Sequence, residues 1–423
     1  MKSRSIQEFK ETEIGKIPPE WEVDKLENHL IIKGRIGWKG LKTSEYTNDG
    51  PFIVTGIQIK EKKVAWDECS HITEDRYNES PEIMLHENDI LMTKDGTIGK
   101  LAYIENISHK STVASHIHVI RKKSEKILPR FLFYVFESPQ FKNVIESKIT
   151  GSVVPALTQK DINSTLFPIP PISEQKSISK IFYDLDTKIQ NLQNQNKILE
   201  QITQAIFKSW FIDFDGVTEF DDSELGQIPK GWTVRKISGI CETFGGGTPS
   251  TTNPNYWNGN NYWFVPRDLT NSDRLFCISS ERKITDLGLK NCSSQLHPEN
   301  SILMTSRATI GAFAINRVPA ATNQGFIVTR PNNPNHLYYL FLNFVNRVDE
   351  FISNANGSTF LEISRGNFKQ LPILIPSASI LDIFHNKIKQ CFEKQFVNEQ
   401  QILTLTEIRD SLLPKLMSGE IQV

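Results

Sequence analysis

The chain reads as an α+β protein: two repeated mixed α/β heads, each followed by one long helix, with the two helices pairing as a coiled coil. Three observations predict this: a heptad-patterned stretch at 168–214, a second at 379–416, and blocks that recur in order at nearly constant offsets.

In the first stretch Ile178, Leu185, Leu192, Leu199 and Ile206 fall in one column of sevens, and Phe182, Ile189, Asn196, Thr203 and Trp210 in the alternating one. That is a coiled-coil seam. Pro170 and Pro171 precede it, Ser173 is placed to cap it, and Asp213 and Gly216 follow, so start and stop signals agree with the period. At about 1.5 Å per residue, roughly 38 helical residues make a rod of about 57 Å. Its apolar stripe needs a partner. The second stretch repeats the columns as Phe384, Cys391, Asn398, Leu405 and Leu412, alternating with Ile388, Gln395, Ile402, Arg409 and Leu416, each 206 residues after its counterpart, as Ile178 is to Phe384. An ordinary core helix in each half is the plain alternative; two rods matched at a fixed offset favour mutual packing.

The heads repeat as well. FKETEIGKIPPEWEVDK at 9–25 aligns with FDDSELGQIPKGWTVRK at 220–236, an offset of 211 from Trp21 to Trp232. NDILMTKDGTIG at 88–99 aligns with NSILMTSRATIG at 300–311, and Gly151 and Ser152 with Gly357 and Ser358. Strand-like runs at 51–59, 89–93, 113–121, 301–305 and 325–330 are separated by Gly and Asn turns, with helices expected at 129–148 and 336–354. The polar, acidic run 215–223 reads as a short linker.

With 423 residues, a net charge of −1 and 23% charged side chains, the chain has ample core and is neither disordered nor overtly basic. Five cysteines without a CxxC pair, no apolar run of membrane-spanning length and no apolar segment near the start predict a soluble cytoplasmic protein.

Catalytic signatures are weak. Phe244 to Gly247 followed by Asn253, Pro254, Asn255 and Tyr256 resembles the methyl-donor and flipped-adenine elements of amino-methyltransferases, but the second proline is absent and no doubly wound series surrounds it. Glu-x-Lys triplets begin at Glu61, Glu146 and Glu281; a nuclease needs a further carboxylate to hold its metal, and a solvated surface explains all three. His71, His86, His116, His118 and His297 are scattered, with His116 and His118 expected on one strand face; no metal site, Walker loop or GxSxG elbow is present. Binding therefore outranks catalysis.

The repeated loops are the best binding candidates. Lys94, Thr97 and Lys100 on one, and Arg307 and Thr309 on the other, set a cation among small hydroxyls after a strand, which suits phosphates and base edges; a β-turn with its cation in water is the plain alternative for either alone. Arg35, Trp38 and Lys39, Thr248 and Ser250, Arg267, and Asn323 with Gln324 complete the set, since Arg, Asn and Gln make bidentate contacts with purines in the major groove. Lys122, Lys123, Lys126 and Arg130 form a basic run suited to phosphates or solubility.

PIPPISEQKSI at 168–178, LEQITQAIFKSWFIDF at 199–214, RDSLLPKLMSGEI at 409–421 and the two IP..W entries at 17–21 and 228–232 together resemble the specificity subunits of type I restriction and modification systems, over essentially the whole chain. The resemblance implies target-recognition domains at 1–171 and 215–376 and conserved helices at 172–214 and 377–423, packed antiparallel about a pseudo-two-fold. Each domain would read one half of a split double-stranded DNA target. Two methyltransferase subunits would bring S-adenosylmethionine and the catalytic residues, and ATP- and Mg-dependent restriction or translocase subunits would be added for cleavage; no cofactor is expected in this chain. The second helix opens PSASILDIF, without the Pro-Pro and Glu-Gln of the first, so docking at the two ends is expected to be unequal. Lys176, Lys188, Gln195, Lys387 and Glu399 lie off the seam as methyltransferase contacts. Rival readings are a stand-alone DNA adenine methyltransferase and a coiled-coil scaffold that binds no DNA.

Because the loops at Lys94 and Arg307 differ, two different half-sites are expected. A rod of about 57 Å suits grooves one to one and a half turns apart, half-sites one turn apart lying ~34 Å distant.

Overall fold

Two helices of 40 residues, Ile172–Phe211 and Ala378–Met417, run through the structure, a computed structural model. Residues 2–3, 9–34, 41–148, 156–271, 274–357 and 360–423 are described, the first two by backbone alone. The first helix begins directly after Pro171, so Ser173 sits inside its first turn instead of capping it; the entry is held by Gln175, whose Nε2 donates to the Pro170 carbonyl at 2.8 Å. At its far end Ile212 and Asp213 both donate to the Lys208 carbonyl, and Phe214 and Gly216, at φ 55° and 82°, turn the chain away.

The chain divides into two units, Met1–Lys188 with Thr404–Val423, and Ile189–Leu403, so each helix contributes a part to each unit. In the first unit Ile178 and Phe182 pack with Leu413, Leu416 and Met417, flanked by Leu185 and Leu412. Asp186 there receives Arg409 Nη1 at 3.0 Å, Lys62 Nζ at 3.1 Å and the Tyr134 hydroxyl at 3.1 Å. In the second unit Phe384, Ile388 and Phe392 pack with Phe207 and Phe211, flanked by Ile206 and Trp210, and Asn398 Nδ2 donates to Asn196 Oδ1 at 2.8 Å. Partner 409 faces 186 and partner 398 faces 196, so one helix descends as the other ascends. The pairing is antiparallel.

Every seam position is buried or half-buried: Ile189 and Leu192 are buried, Leu199, Ile402 and Leu405 half-buried. Asn398 is fully buried, and Gln395 Nε2 donates to the Asn196 carbonyl at 3.2 Å. Such polar seam pairs fix register at a cost in stability. The heptad count misses a second buried stripe, Phe207, Phe211, Phe392 and Leu413, which faces the heads.

In the first unit a four-stranded antiparallel sheet runs in the order Leu101–Tyr103, Ile90–Thr93, Ile117–Lys122, Leu30–Lys33. Its side chains alternate: Ile90, Met92 and Ile120 join the core beneath Phe131 and the long helices, whereas Leu91, Ile117 and Val119 join a second core with Val54 and Val113. A period of two buried on both faces is what a central sheet requires. A smaller sheet sets Ser111–Val113 parallel to the end of Tyr46–Val54, with Ser70–Ile72 on its other side. The helix expected at 129–148 is two, Pro129–Glu137 and Pro139–Lys148, because Pro139 has no N–H to give and Ser138 is extended, its hydroxyl taking the Phe141 N–H.

The second unit repeats this plan. Cys241–Gly245, Phe326–Pro331, Ile302–Arg307 and Thr309–Asn316 form the sheet, and Ala320–Thr322 lies parallel to the end of Trp257–Phe264. The helix expected at 336–354 is likewise two, Leu337–Val345 and Val348–Ser353. An added edge strand, Phe276–Cys277, is held by Glu399, whose two carboxylate oxygens accept the N–H groups of Leu275 and Phe276 at 2.8 and 3.2 Å. Glu399 therefore faces inward and is buried, unlike the exposed Lys176, Lys188, Gln195 and Lys387. Burial pushes its carboxyl up to about 7 against the two N–H donors, which pull it down. The 215–223 stretch ends in a strand, Phe220–Ser223, paired with Gly226–Pro229.

Glu174 and Gln175 of the PPISEQ motif also point inward. Trp21 Nε1 donates to Glu174 Oε2 at 2.8 Å, and Gln175 Oε1 accepts from Leu128 N–H at 2.9 Å. The residues 206 places on, Ile380 and Leu381, fill apolar core, so the two helix entries differ in core chemistry.

Candidate nucleic-acid interface

The loops that interest function leave the ends of the paired sheets, and both units build them with the same hydrogen bonds. Thr93 Oγ1 accepts the Lys100 N–H at 2.9 Å, and Thr305 Oγ1, 212 residues on, accepts the Ala312 N–H at 2.9 Å. Each threonine thereby staples the base of its loop. Asn88 and Asn300 (φ 72° and 65°) and Gly96 and Ala308 (φ 65° and 62°) adopt left-handed backbone at matching places. Across the sheet, Lys94 N–H donates to the His116 carbonyl at 3.0 Å, as Ser306 N–H does to Gly325 at 2.8 Å.

This register agrees with the alignment of 88–99 with 300–311. Lys94 corresponds to Ser306, and the position of Arg307 is held in the first unit by Asp95. Asp95 lies 2.7 Å from His116 Nδ1, while Arg307 is half exposed with Nε 3.8 Å from Glu362 Oε2. Equivalent tips thus carry opposite charge.

In the first unit Lys94 is half-buried, its carbonyl accepting the Leu157 N–H at 2.8 Å, and Thr97 and Lys100 are exposed on the same loop. His118 does not share a face with His116: it is buried in strand Ile117–Lys122 with Nε2 3.0 Å from the Leu157 carbonyl, and burial holds its pKa down. The basic run is largely spent on carboxylates. Lys122 meets Glu125 at 2.8 Å, Lys126 meets Glu22 at 2.7 Å, and Arg130 pairs with Glu105 over the Tyr103 ring. Arg35, Trp38 and Lys39 lie outside the described residues, as do Gly151, Ser152 and Ser358.

In the second unit the candidates converge around Gly325. Thr248 Oγ1 donates to Gln324 Oε1 at 2.6 Å, and a Cβ at Gly325 would stand 2.8 Å from Pro266, which begins the short helix Pro266–Thr270 bearing exposed Arg267. Ser306, bonded to Gly325, leads into the hairpin with exposed Arg307 and Thr309. Asn323 instead holds the turn, its Oδ1 accepting the Gly325 N–H at 2.9 Å. Ser250 is exposed, with Oγ 2.8 Å from Thr252 Oγ1 and its carbonyl accepting Trp257 Nε1. Two guanidiniums, an amide and three hydroxyls at these strand ends can address phosphates and purine edges together.

Two of the three glycines, Gly246 and Gly247, serve packing. A Cβ on Gly246 would stand 2.0 Å from the Asn323 carbonyl, and one on Gly247 2.3 Å from Ser293 Oγ. That close approach explains Gly246 and Gly247 without a methyl donor. Among the described residues no three His, Cys, Asp or Glu side chains form a metal-binding group, and no helix is long and apolar enough to cross a membrane.

Sequence reasoning missed Glu362, the partner of Arg307, and Ile57, which stands 71% exposed after Val54. Ile57 was hidden in an expected strand at 51–59; the Thr55 and Gln58 pair that ends the strand is the signal that could have exposed it, for a side-chain acceptor three residues after a hydroxyl is turn chemistry.

Comparison with known proteins agrees with this duplicated design. The family described as type I restriction modification DNA specificity domain matches twice, at residues 18–204 and 229–403. The MjaIX specificity subunit of Methanocaldococcus jannaschii is 28% identical, with 100% of this chain and 98% of that protein covered. The HindI specificity subunit of Haemophilus influenzae is 26% identical over 76% of this chain and 84% of that one. The crystal structure of a type I S subunit from M. genitalium superposes with a TM-score of 0.61 at 14% identity, covering 94% and 96% of the two chains, which shows a shared fold. With two specificity domains set on paired helices, this chain belongs to the type I restriction-modification DNA specificity family.

Proposed function

We propose that this chain is the target-reading, non-catalytic subunit of a type I restriction-modification assembly, working in the cytoplasm, and that each head reads one half of an asymmetric split site in double-stranded DNA. Methyl transfer to adenine then belongs to two modification subunits carrying S-adenosylmethionine, and cleavage to restriction subunits using ATP and Mg. The observation that carries this reading is one scaffold with unlike tips: the same threonine-stapled loops end in Asp95 beside His116 in one head and in Arg307 in the other. Heads built alike for folding and unlike at their exposed ends suit two different sequences.

The test is co-purification of the chain with its modification subunit, followed by mapping of methylated adenines across a genome. A split motif with two unlike halves is the expected result. A palindromic motif would refute the asymmetry, methyl transfer by the purified chain alone would support a stand-alone enzyme, and absence of DNA binding with the modification subunit present would support a scaffold.

A further inference from the structure

Each unit carries a tight turn where the longer strand of its parallel pair ends. In the first, Ala114 N–H donates to the Val54 carbonyl at 2.9 Å; in the second, Asn323 N–H donates to Phe264 at 3.0 Å. The next residues are locked in the same manner. Thr55 N–H donates to Gln58 Oε1 at 3.0 Å and Gln58 N–H to the Thr55 carbonyl at 3.2 Å; Val265 N–H donates to Asp268 Oδ2 at 2.7 Å and Asp268 N–H to the Val265 carbonyl at 2.9 Å. In both turns the third residue is thrust outward: Ile57 at 71% exposure, and Arg267, exposed and, among the described residues, paired with no carboxylate.

A lone exposed isoleucine on a soluble protein needs no explanation. This one occupies the place that the other head gives to an exposed guanidinium, on a turn held by side-chain and backbone bonds. We infer that residues 57 and 267 are equivalent specificity positions of the two heads, Ile57 reading a base pair through an apolar contact such as the thymine methyl and Arg267 reading guanine. The chemistry follows from the major-groove code, in which an aliphatic side chain has only the thymine methyl to meet and an arginine forks onto guanine O6 and N7. The inference rests on the proposal that the heads read DNA.

The experiment maps methylated adenines for the complex of the full chain with its modification subunit, comparing wild type with Ile57→Ala, Ile57→Arg and Arg267→Ile. Both 57 variants should alter or relax one base pair of one half-site, and Arg267→Ile one base pair of the other, with methylation of the original sites falling roughly five- to a hundredfold. If wild type yields no split motif, the DNA-reading proposal itself fails. If wild type yields one and the 57 variants methylate the same sites as well as before, or lose methylation uniformly with the motif intact, the assignment of Ile57 is overturned while that proposal stands. Changes by 57 and 267 in the same half-site would overturn their equivalence. Ile57→Ala shortens a side chain that is 71% exposed, so an unchanged melting profile distinguishes lost reading from lost fold.

Discussion

Glu399→Gln should change how the stability of the second unit depends on pH. The carboxyl is buried, its oxygens accept the N–H groups of Leu275 and Phe276 at 2.8 and 3.2 Å, and burial raises its pKa from 4.5 to about 7. Because the folded state holds the proton more tightly, this group's contribution is complete below about 4.5 and is lost as the pH rises through about 7. A rise of that size corresponds to roughly 3 kcal/mol of preference for the neutral form. Glutamine cannot ionise, but its amide nitrogen cannot accept, so one of the two N–H groups loses its partner at a cost of about 1–3 kcal/mol. Urea unfolding followed by fluorescence should therefore find the variant weaker than wild type by about 1–3 kcal/mol at pH 5, with the gap closing or reversing by pH 8.5 as wild type loses its roughly 3 kcal/mol. A gap that stays constant from pH 5 to 8.5 would refute the argument.

Other perturbations have equally definite outcomes. Arg307→Ala should relax one base of one half-site by about 1–3 kcal/mol if the guanidinium reads a purine; equal loss on all DNA sequences, measured by binding competition, would demote it to a phosphate contact. Asp186→Ala leaves Lys62 and Arg409, 24% and 20% exposed, without their shared carboxylate. Since Glu137 and Asp410 remain beside them, the loss of unfolding free energy should be about 2–3 kcal/mol, below the range for a fully buried pair. Insertion of one heptad into both long helices should lengthen the non-specific interval between half-sites in the methylation motif; an altered half-site with an unchanged interval would sink the idea that the helices set it.

Much of the fold was legible because it is periodic. A seven-residue pattern ended by Pro171 and Gly216 leaves a chain little choice but one long helix, and the recurrence of Trp21 at Trp232 fixes the duplication independently of either head. The second buried stripe was not legible, since Phe207, Phe211, Phe392 and Leu413 look like irregularities in a heptad until the heads they face are known. Loop tips were the least legible. The aligned blocks at 88–99 and 300–311 set Asp95 against Arg307, but do not show that Asp95 meets His116 or that Arg307 faces Glu362. Those partners come from other parts of each head, which the local pattern does not specify. Glu174, Gln175 and Glu399 looked like surface groups because their charge or polarity hides that each is spent on an interior donor or acceptor.

The sharing of helices between the units bears on how the chain comes to be folded as it leaves the ribosome. The core around Ile178 and Phe182 is closed by Leu413, Leu416 and Met417, which follow the entire second unit in the sequence. The second unit is one continuous run of chain, 189–403. The portion translated first is thus finished last, and until then its apolar helix face waits uncovered while its neighbour assembles, a contact of long sequence separation of the kind that slows folding and invites aggregation.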